Sequence, residues 1–577
     1  MQLDKNFFTS TNQICYLGTG ELGGKAKGLE FINDILTSGI NKEEFPDFDI
    51  SIPKMIVIKT DVFDDFMKLN DLSQIALSDM PDDRIALAFQ KADLPFNILG
   101  DLRLIVSEVK RPLAIRSSSM LEDALHEPFA GIYGTKMTPN NQPDIDTRFR
   151  KLVEAIKYVY ASTFFKAPKN YIKVTRHKTA NEKMAVIIQE VVGKKHDEKF
   201  YPEISGVARS FNFYPTGGAA PESGVVNLAL GLGKTIVDGG VSWAYTPASP
   251  RNDPPFKSIG EMLKHTQLKF WAVNLGKLPA YDPINETEYM FEHHISEAQK
   301  DGTLKNIVST YDAQNDRIRM GQSGQGAKIL NFAPILKMSS IPLNDLIIKL
   351  IDACEKAVKA PVEIEFAVTF SENIEEAPHR FGFLQVRPMV VSSEKIDLSD
   401  NEMTGSNVLI ASESVLGNGV VDSLTDIVFV KLGSFDAKYT FEIAKEIETI
   451  NKKIVNEKRQ YLLIGFGRWG TTDSWAGIPV DWSQISGAKV IVEATMENMI
   501  QEMSQASHFF HNVSSFQVLY FSVPSSEPYS DIIARLSDFE IVEETAFLKH
   551  VKTKNPLIIK AAGSKGKGVI LNDNKPG

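Results

Sequence analysis

Residues 111–137 read RPLAIRSSSMLEDALHEPFAGIYGTKM, and the parsing of the chain turns on this stretch. Leu113, Ala114 and Ile115 form a short apolar run that predicts a buried strand. Arg116 leaves the end of that run, and Ser117 to Ser119 bring hydroxyls and backbone N–H groups to a point where a helix is expected to start. A fixed guanidinium beside a helix start suits a phosphate better than a carboxylate, because it neutralises charge and donates paired hydrogen bonds. The same residues also suit a capped surface helix with a solvated arginine, since serine before an acidic pair is a common helix start.

Composition bounds what such a site serves. A chain of 577 residues is too long for one core and predicts three or four units. At 43% hydrophobic and 24% charged it is an ordinary globular protein. A formal charge of −10 argues against a general nucleic-acid binder, and only the tail from Lys549 onward is lysine-rich. Two cysteines, Cys15 and Cys354, make no disulfide framework and fit a reducing compartment. With no apolar run of membrane length and no leader-like start, the expectation is a soluble cytoplasmic protein with no membrane partner.

Upstream, residues 14–36, ICYLGTGELGGKAKGLEFINDIL, read as strand, glycine-rich turn and amphipathic helix. Gly18, Gly20 and Gly23 satisfy G-x-G-x-x-G, but the acidic residue ending a second strand is missing, and a Walker loop fails too, with Gly24 standing where its lysine is needed. A tight glycine turn with Lys25 and Lys27 at a helix start remains, able to approach phosphate oxygens or to leave its lysines solvated. Residues 53–66, PKMIVIKTDVFDDF, predict a buried strand and a helix capped by Thr60 or Asp61. Residues 71–110 alternate at helical spacing, and 149–165, FRKLVEAIKYVYASTFF, form a strongly periodic helix. MAVIIQEVVG, 184–193, is an apolar strand broken by Gln189 and Glu190, suited either to core or to the back wall of a purine pocket. Residues 205–247 predict paired strands with a Gly-Leu-Gly turn at 231–233.

Two further strands, VEIEFAVTF (362–370) and FGFLQVRPMVV (381–391), carry the densest chemistry. Residues two apart on a strand share a face, so Glu363 projects with Glu365, and Gln385 with Arg387. Two carboxylates, an amide oxygen and an arginine on one face describe a magnesium-phosphate site, or else an edge hairpin with an external salt bridge.

Taken in order, the Gly-Gly-Lys helix start, IRSSSMLEDALHEPFAGIYGT, VIIQEVV, SGVA, GLGKTIVDGG, and IEF followed by LQVRP resemble the ATP-binding domain of phosphoenolpyruvate synthase and pyruvate phosphate dikinase. That domain is a divergent ATP-grasp fold, shared with rifampin phosphotransferase and glucan water dikinase, and the resemblance spans roughly residues 14–392. It implies an α+β multidomain protein: an ATP-grasp-like nucleotide-binding domain in two subdomains, 1–195 and 196–395, followed by a smaller α/β swivelling-type domain, 396–577. It further implies ATP and Mg2+ as cofactors, with Lys25 and Arg116 on the nucleotide phosphates and Gln189, Glu190 and Val192 around adenine. Glu365 and Gln385 would ligate magnesium, and Arg387 would meet the transferred phosphate. The usual Gly-Leu-Gly-Glu is GLGK here, with Lys234 replacing the acid, and the usual Asp-Ile-Glu-Trp is Glu363, Ile364, Glu365, Phe366.

Residues 406–431, SNVLIASESVLGNGVVDSLTDIVFVK, resemble the opening of the phosphohistidine domain in the same enzymes. In AKVIVEATMENMIQEMSQASHFFHN, 488–512, Ser507 and His508 resemble the Ser-His of the carrier motif, with His511 a competitor. A neutral imidazole is a good nucleophile toward a phosphoryl group. The small residues that usually follow the carrier histidine are replaced by HFFHNVSSF. YLLIGFGRWGTTDSWAGIPVDWSQISG, 461–487, has no counterpart in the dikinases; its Arg468, Trp469, Trp475 and Trp482 suit an acceptor site or a small core. PLIIKAAGSKGKGVIL, 556–571, predicts a hairpin. No stretch remains for the eight-stranded phosphoenolpyruvate barrel of the dikinases.

The expected protein is therefore a phosphotransferase acting through His508 on a small-molecule acceptor, or on a partner protein carrying the acceptor site, and a homo-oligomer is compatible. Two rivals stand beside it: an ATP-grasp ligase that makes an acyl phosphate directly, and a module that senses ATP without turning it over.

Overall fold

The computed structural model describes residues 3–122, 131–173, 182–215, 219–252, 256, 258–322, 326–391, 396–431, 436–471, 477–495, 508–524 and 529–572. The chain divides into two compact units, one of Met1–Ser210, Ser223–Val237 and Val241–Met389, the other of Phe211–Glu222, Asp238–Gly240 and Val390–Gly577.

The strands of the first unit are β1 (Ile14–Leu17), β2 (Phe48–Ser51), β3 (Met55–Ile58), β4 (Leu113–Ser119), β5 (Thr135–Thr138), β6 (Met184–Glu190), β7 (Lys194–His196), β8 (Lys199–Tyr201) and β9 (Ile204–Arg209). They continue as β10 (Val225–Ala229), β11 (Trp243–Tyr245), β12 (Lys269–Asn274), β13 (Met290–His294), β14 (Val308–Asp312), β15 (Arg317–Met320), β16 (Lys328–Leu330), β17 (Val362–Thr369) and β18 (His379–Pro388). Among the described residues they make a sheet in the order β1-β3-β6-β4-β5 and a larger one in the order β11-β10-β9-β17-β18-β2. The remaining strands form two smaller sheets, β13-β12-β8-β7 and β15-β14-β16. Strand pairing is antiparallel except for β1 with β3 and β18 with β2.

Helix α1 (Gly24–Ser38) joins the two large sheets, packing on both β4 and β18. Its buried Ala26, Leu29, Ile32 and Leu36 recur at three- and four-residue spacing, which puts them on one face. That face enters a core shared with Val57 and Ile187 of the first sheet and Ile364, Phe366 and Val386 of the second. Helices α2 (Thr60–Leu69), α3 (Ser73–Leu77), α4 (Asp82–Lys91), α5 (Phe96–Glu108) and α6 (Ile145–Ser162) fill the predicted helical stretches, and α6 packs on β4, β5 and β6.

Two local expectations are corrected. Ser117 to Ser119 do not begin a helix, and Arg116 does not end the strand. β4 runs through all of them, because each pairs with β6: Arg116 with Ile187, Ser117 with Val186, Ser118 with Ala185 and Ser119 with Met184. A fully paired strand flank outweighs the local capping preference of serine. Neither Thr60 nor Asp61 caps α2, whose N-cap is Lys59 without a side-chain hydrogen bond. Both side chains turn instead to the glycine-rich loop. The paired strands expected around the Gly-Leu-Gly at 231–233 are β10 and β11, with one helical turn, Lys234–Val237, between that turn and β11.

The second unit is built on β19 (Val408–Ser412), β20 (Val415–Leu416), β21 (Asn418–Val430), β22 (Tyr461–Phe466), β23 (Arg468–Trp469), β24 (Gly477–Ile478), β25 (Ala488–Ala494), β26 (Leu519–Val523), β27 (Glu540–Glu544), β28 (Leu548–Ala562) and β29 (Lys567–Leu571). Its main sheet runs β19-β29-β28-β21-β22-β25-β26-β20, with β21, β22, β25 and β26 parallel in sequence order. The predicted C-terminal hairpin is β28 with β29. Trp469 is fully buried and donates its indole N–H to the Val492 carbonyl at 3.1 Å, and Trp482 stacks on Phe516 with centroids 4.7 Å apart, so both are core residues. Trp475 and Ser507 lie outside the described residues. A helix starts at His508, but the side chains of His508 and His511 also lie outside the description. Among the described residues no helix is long and apolar enough to cross a membrane.

Candidate functional site

The site grows from the glycine-rich loop between β1 and α1. Gly18 and Gly23 have φ of +94° and +74°, conformations that favour glycine. The Asp61 carboxylate accepts from the Thr19 N–H at 2.7 Å, the Thr19 hydroxyl at 3.0 Å and the Gly20 N–H at 2.9 Å, and Thr60 Oγ1 accepts from the Glu21 N–H at 2.9 Å. Burial pushes the Asp61 carboxyl up, but the hydrogen bonds from Thr19 and Gly20 outweigh it and hold it below the usual range. The sequence expectation missed this anchor because an acid at a helix start reads as that helix's own cap.

The first turn of α1 is tied to β4. The Ser118 hydroxyl donates to the Leu22 carbonyl at 2.9 Å and accepts from the Ala26 N–H at 3.0 Å, so a strand serine caps a helix distant in sequence. Lys25 is buried, with its ammonium 2.8 Å from Glu122 Oε1 and 3.3 Å from the Ser117 hydroxyl. Glu122 also accepts from the Ser117 hydroxyl at 2.9 Å and the Ser119 N–H at 2.8 Å. Glu182 completes this cluster. Burial pushes its carboxyl up to about 7, the Glu122 charge adds to the rise, and hydrogen bonds from Ser119 and Tyr133 moderate it.

A carboxyl whose pKa is raised on folding stabilises the native state below its unfolded value and loses that contribution as pH climbs through the folded value. Stability should therefore fall between pH 4.5 and about 7 on account of Glu182. Glu182→Gln is expected to be more stable than wild type at pH 8, by on the order of 2–3 kcal/mol, and nearly equal to it at pH 4.5. Urea denaturation at both pH values checks this, and equal differences at the two would refute it.

The second half of the site is the β17–β18 hairpin. Its register sets Glu363 opposite Arg387 and Glu365 opposite Gln385. On the other side of β17, Arg209 of β9 faces Glu363. The Arg209 Nε donates to Glu363 Oε2 at 2.6 Å, while Arg387 lies 3.5 Å from Glu363 and 2.6 Å from Glu365. A row of alternating charge thus crosses three strands, with Arg209, Glu363 and Arg387 only 3%, 4% and 3% exposed. Arg209 was not foreseen; an arginine ending the otherwise buried strand of SGVAR was the available signal.

Arg116 joins the halves. From the middle of β4 its guanidinium donates to Gln189 Oε1 of β6 at 3.2 Å, to the Leu384 carbonyl at 2.9 Å and to Gln385 Oε1 at 2.8 Å. The structure therefore brings Arg116, Gln189, Gln385, Glu365 and Arg387 into one chain of contacts, with Lys25 of α1 reaching the neighbouring Ser117 of β4. Glu190 faces Arg380 at 3.8 Å. Val192 is buried and packs so closely on Gly382 that a Cβ there would lie 2.4 Å from its methyl. Lys234, the departure from the resembled motif, sits over the Trp271 ring at 5.9 Å.

These residues fit a nucleotide and a hard cation chemically. Gln189 Nε2 is buried with no hydrogen-bond partner among the described residues, which leaves a donor for a ligand. Glu365 and Gln385, cross-strand neighbours, offer two oxygens of the kind magnesium takes, and magnesium usually completes its shell with phosphate oxygens and water.

A family model described as pyruvate phosphate dikinase, AMP/ATP-binding domain, matches residues 19–407, a span that holds Lys25, Arg116, Gln189, Glu365, Gln385 and Arg387. No protein of curated annotation matches the chain.

Proposed function

Because the chain belongs to the family of the pyruvate phosphate dikinase AMP/ATP-binding domain, we propose that it is an ATP- and magnesium-dependent phosphotransferase. In this reading residues 1–195 and 196–395 are the two subdomains of an ATP-grasp fold and 396–577 are a phosphohistidine-like domain. The observation that carries the nucleotide site is Arg116, whose guanidinium spans from Gln189 to Gln385 across the two large sheets. A charge held there by three acceptors is already oriented and needs little reorganisation when an anion arrives.

Gln189, Glu190 and Val192 bind the adenine, with the unpartnered Gln189 amide donating to the base. Lys25, Arg116 and Arg387 neutralise the phosphates. Lys25 and Arg387 are paired with carboxylates, so phosphate binding proceeds by sharing these cations with Glu122 and with Glu363 and Glu365. Glu365 and Gln385 would hold magnesium, which would supply neutralisation of phosphate charge. In the full reaction an imidazole nitrogen of His508 attacks the phosphoryl group, the N–P bond forms as the P–O bond to the leaving nucleotide breaks, and the phosphoryl group passes to a small molecule or partner protein. An ATP-sensing reading is favoured by two observations: the lysine at 234, and cations that already have internal partners.

The test is incubation of the purified chain with magnesium and ATP labelled separately at the β and γ positions, beside His508→Ala and Glu365→Ala. Acid-labile, base-stable label on the wild type, lost in both variants, is the expected result. Label retained on His508→Ala removes the carrier assignment. Tight ATP binding with no label and no turnover supports sensing, and acceptor-dependent ADP release without label supports a ligase.

A further inference from the structure

At the end of β4 opposite to Ser117–Ser119 lies a cavity of about 760 Å³, a volume within the range of small-molecule sites. Four strand residues, Leu113 to Arg116, separate its Pro112 from Ser117, roughly 16 Å along β4, and none of its lining residues is assigned to the nucleotide above, although Gly193 directly follows Val192. Its lining contributes Lys110, Arg111, Arg148, Lys194 and Lys195 and no aspartate or glutamate. In a chain with a formal charge of −10 this local excess is unexpected. Lys194 is committed, lying 3.5 Å from Glu203. Lys110, Arg111 and Lys195 have no ion-pair partner among the described residues, so their mutual repulsion is relieved only by solvent or an anion.

Three orphaned groups sharpen the reading. Arg148 is 4% exposed, its closest acceptor is the Val109 carbonyl at 3.5 Å, and its Nε has no partner. A buried guanidinium so poorly satisfied is costly without a ligand. The Asn140 amide donates to the carbonyls of Val109 at 2.8 Å and Arg111 at 3.1 Å, which fixes its orientation and leaves Oδ1 buried with no donor. Gln142 Oε1 is likewise without a donor. The cavity thus presents cations for an anion together with acceptors for hydroxyl or amino groups.

We propose that this cavity binds an organic phosphate, a small molecule carrying both a phosphate and hydroxyl or amino donors, at a site separate from the ATP phosphates. The phosphate meets Arg148, Lys110, Arg111 and Lys195, and the donors meet Asn140 and Gln142. A sugar phosphate and a nucleoside monophosphate share this chemistry.

Calorimetric titration of the full chain with ribose 5-phosphate, AMP and inorganic pyrophosphate tests it, using wild type, the exposed double variant Lys110→Glu with Lys195→Glu, and Lys25→Ala. The expected result is that an organic phosphate binds more tightly than pyrophosphate, loses at least tenfold in the double variant and is unchanged in Lys25→Ala. ATP binding should remain within twofold of wild type in the double variant. Preference for ribose 5-phosphate identifies a sugar phosphate, and preference for AMP a nucleotide. Absence of binding by all three probes, pyrophosphate binding as tightly as the others, or affinity lost in Lys25→Ala but kept in the double variant would overturn the proposal.

Discussion

Arg209→Met is expected to destabilise the first unit by about 3–5 kcal/mol, the range for removing one partner of a buried ion pair. The native row of Arg209, Glu363, Arg387 and Glu365 is neutral, and Glu363 Oε2 lies 2.6 Å from the Arg209 Nε and 2.5 Å from its Nη2. Removal of Arg209 leaves one net negative charge among buried strand residues and takes away the shorter ion pair of Glu363, while the 3.5 Å contact to Arg387 stays. Adding Glu363→Leu to Arg209→Met restores neutrality, since the Arg387–Glu365 pair stays complete. The double variant is therefore expected to recover most of the lost stability, although β17 and β18 gain an apolar neighbour where a charge stood. Urea midpoints of the wild type, both singles and the double give the coupling directly. Equal losses for the single and double variants would show that packing of the arginine stem, not charge balance, is what the row contributes.

Gly23→Ala is expected to cost about 3 kcal/mol or more and to abolish nucleotide binding. Gly23 has φ of +74°, where an alanine is strained. Its added Cβ would also stand 1.8 Å from the Ser118 carbonyl oxygen, a backbone atom of the central sheet that cannot yield without breaking the β4–β6 ladder. The control is Gly100→Ala. Gly100 lies inside α5 with nothing within 4 Å of the added methyl, so that change should stabilise by roughly 0.5–1 kcal/mol. Thermal melting and ATP binding of both variants check the pair. A Gly23→Ala protein that melts like the wild type would mean that the loop is not pinned against β4.

The glycine-rich turn, the apolar strands and the shared faces of the β17 and β18 side chains were legible because their causes are local. A two-residue period places Glu363 with Glu365 and Gln385 with Arg387 whatever the strands pair with. An apolar run such as MAVIIQ must be buried, and a helix with Ala26, Leu29 and Ile32 on one face must cover a core. Only the composition of the chain as a whole, acidic and poor in cysteine, lay within reach of counting.

Tertiary structure alone decided which of these parts meet. Ser117 to Ser119 became strand because β6, far along the chain, supplied a continuous row of backbone partners, and no local preference for capping competes with a completed ladder. Arg116 found Gln385 across 269 residues, and Arg209 found Glu363 across 154. Asp61 came to serve a loop 41 and 42 residues upstream, not its own helix. Hydrophobic alternation assigns a side chain to a face of the sheet, whereas the partner it meets there depends on strand order and register, which are set by the packing of the whole unit.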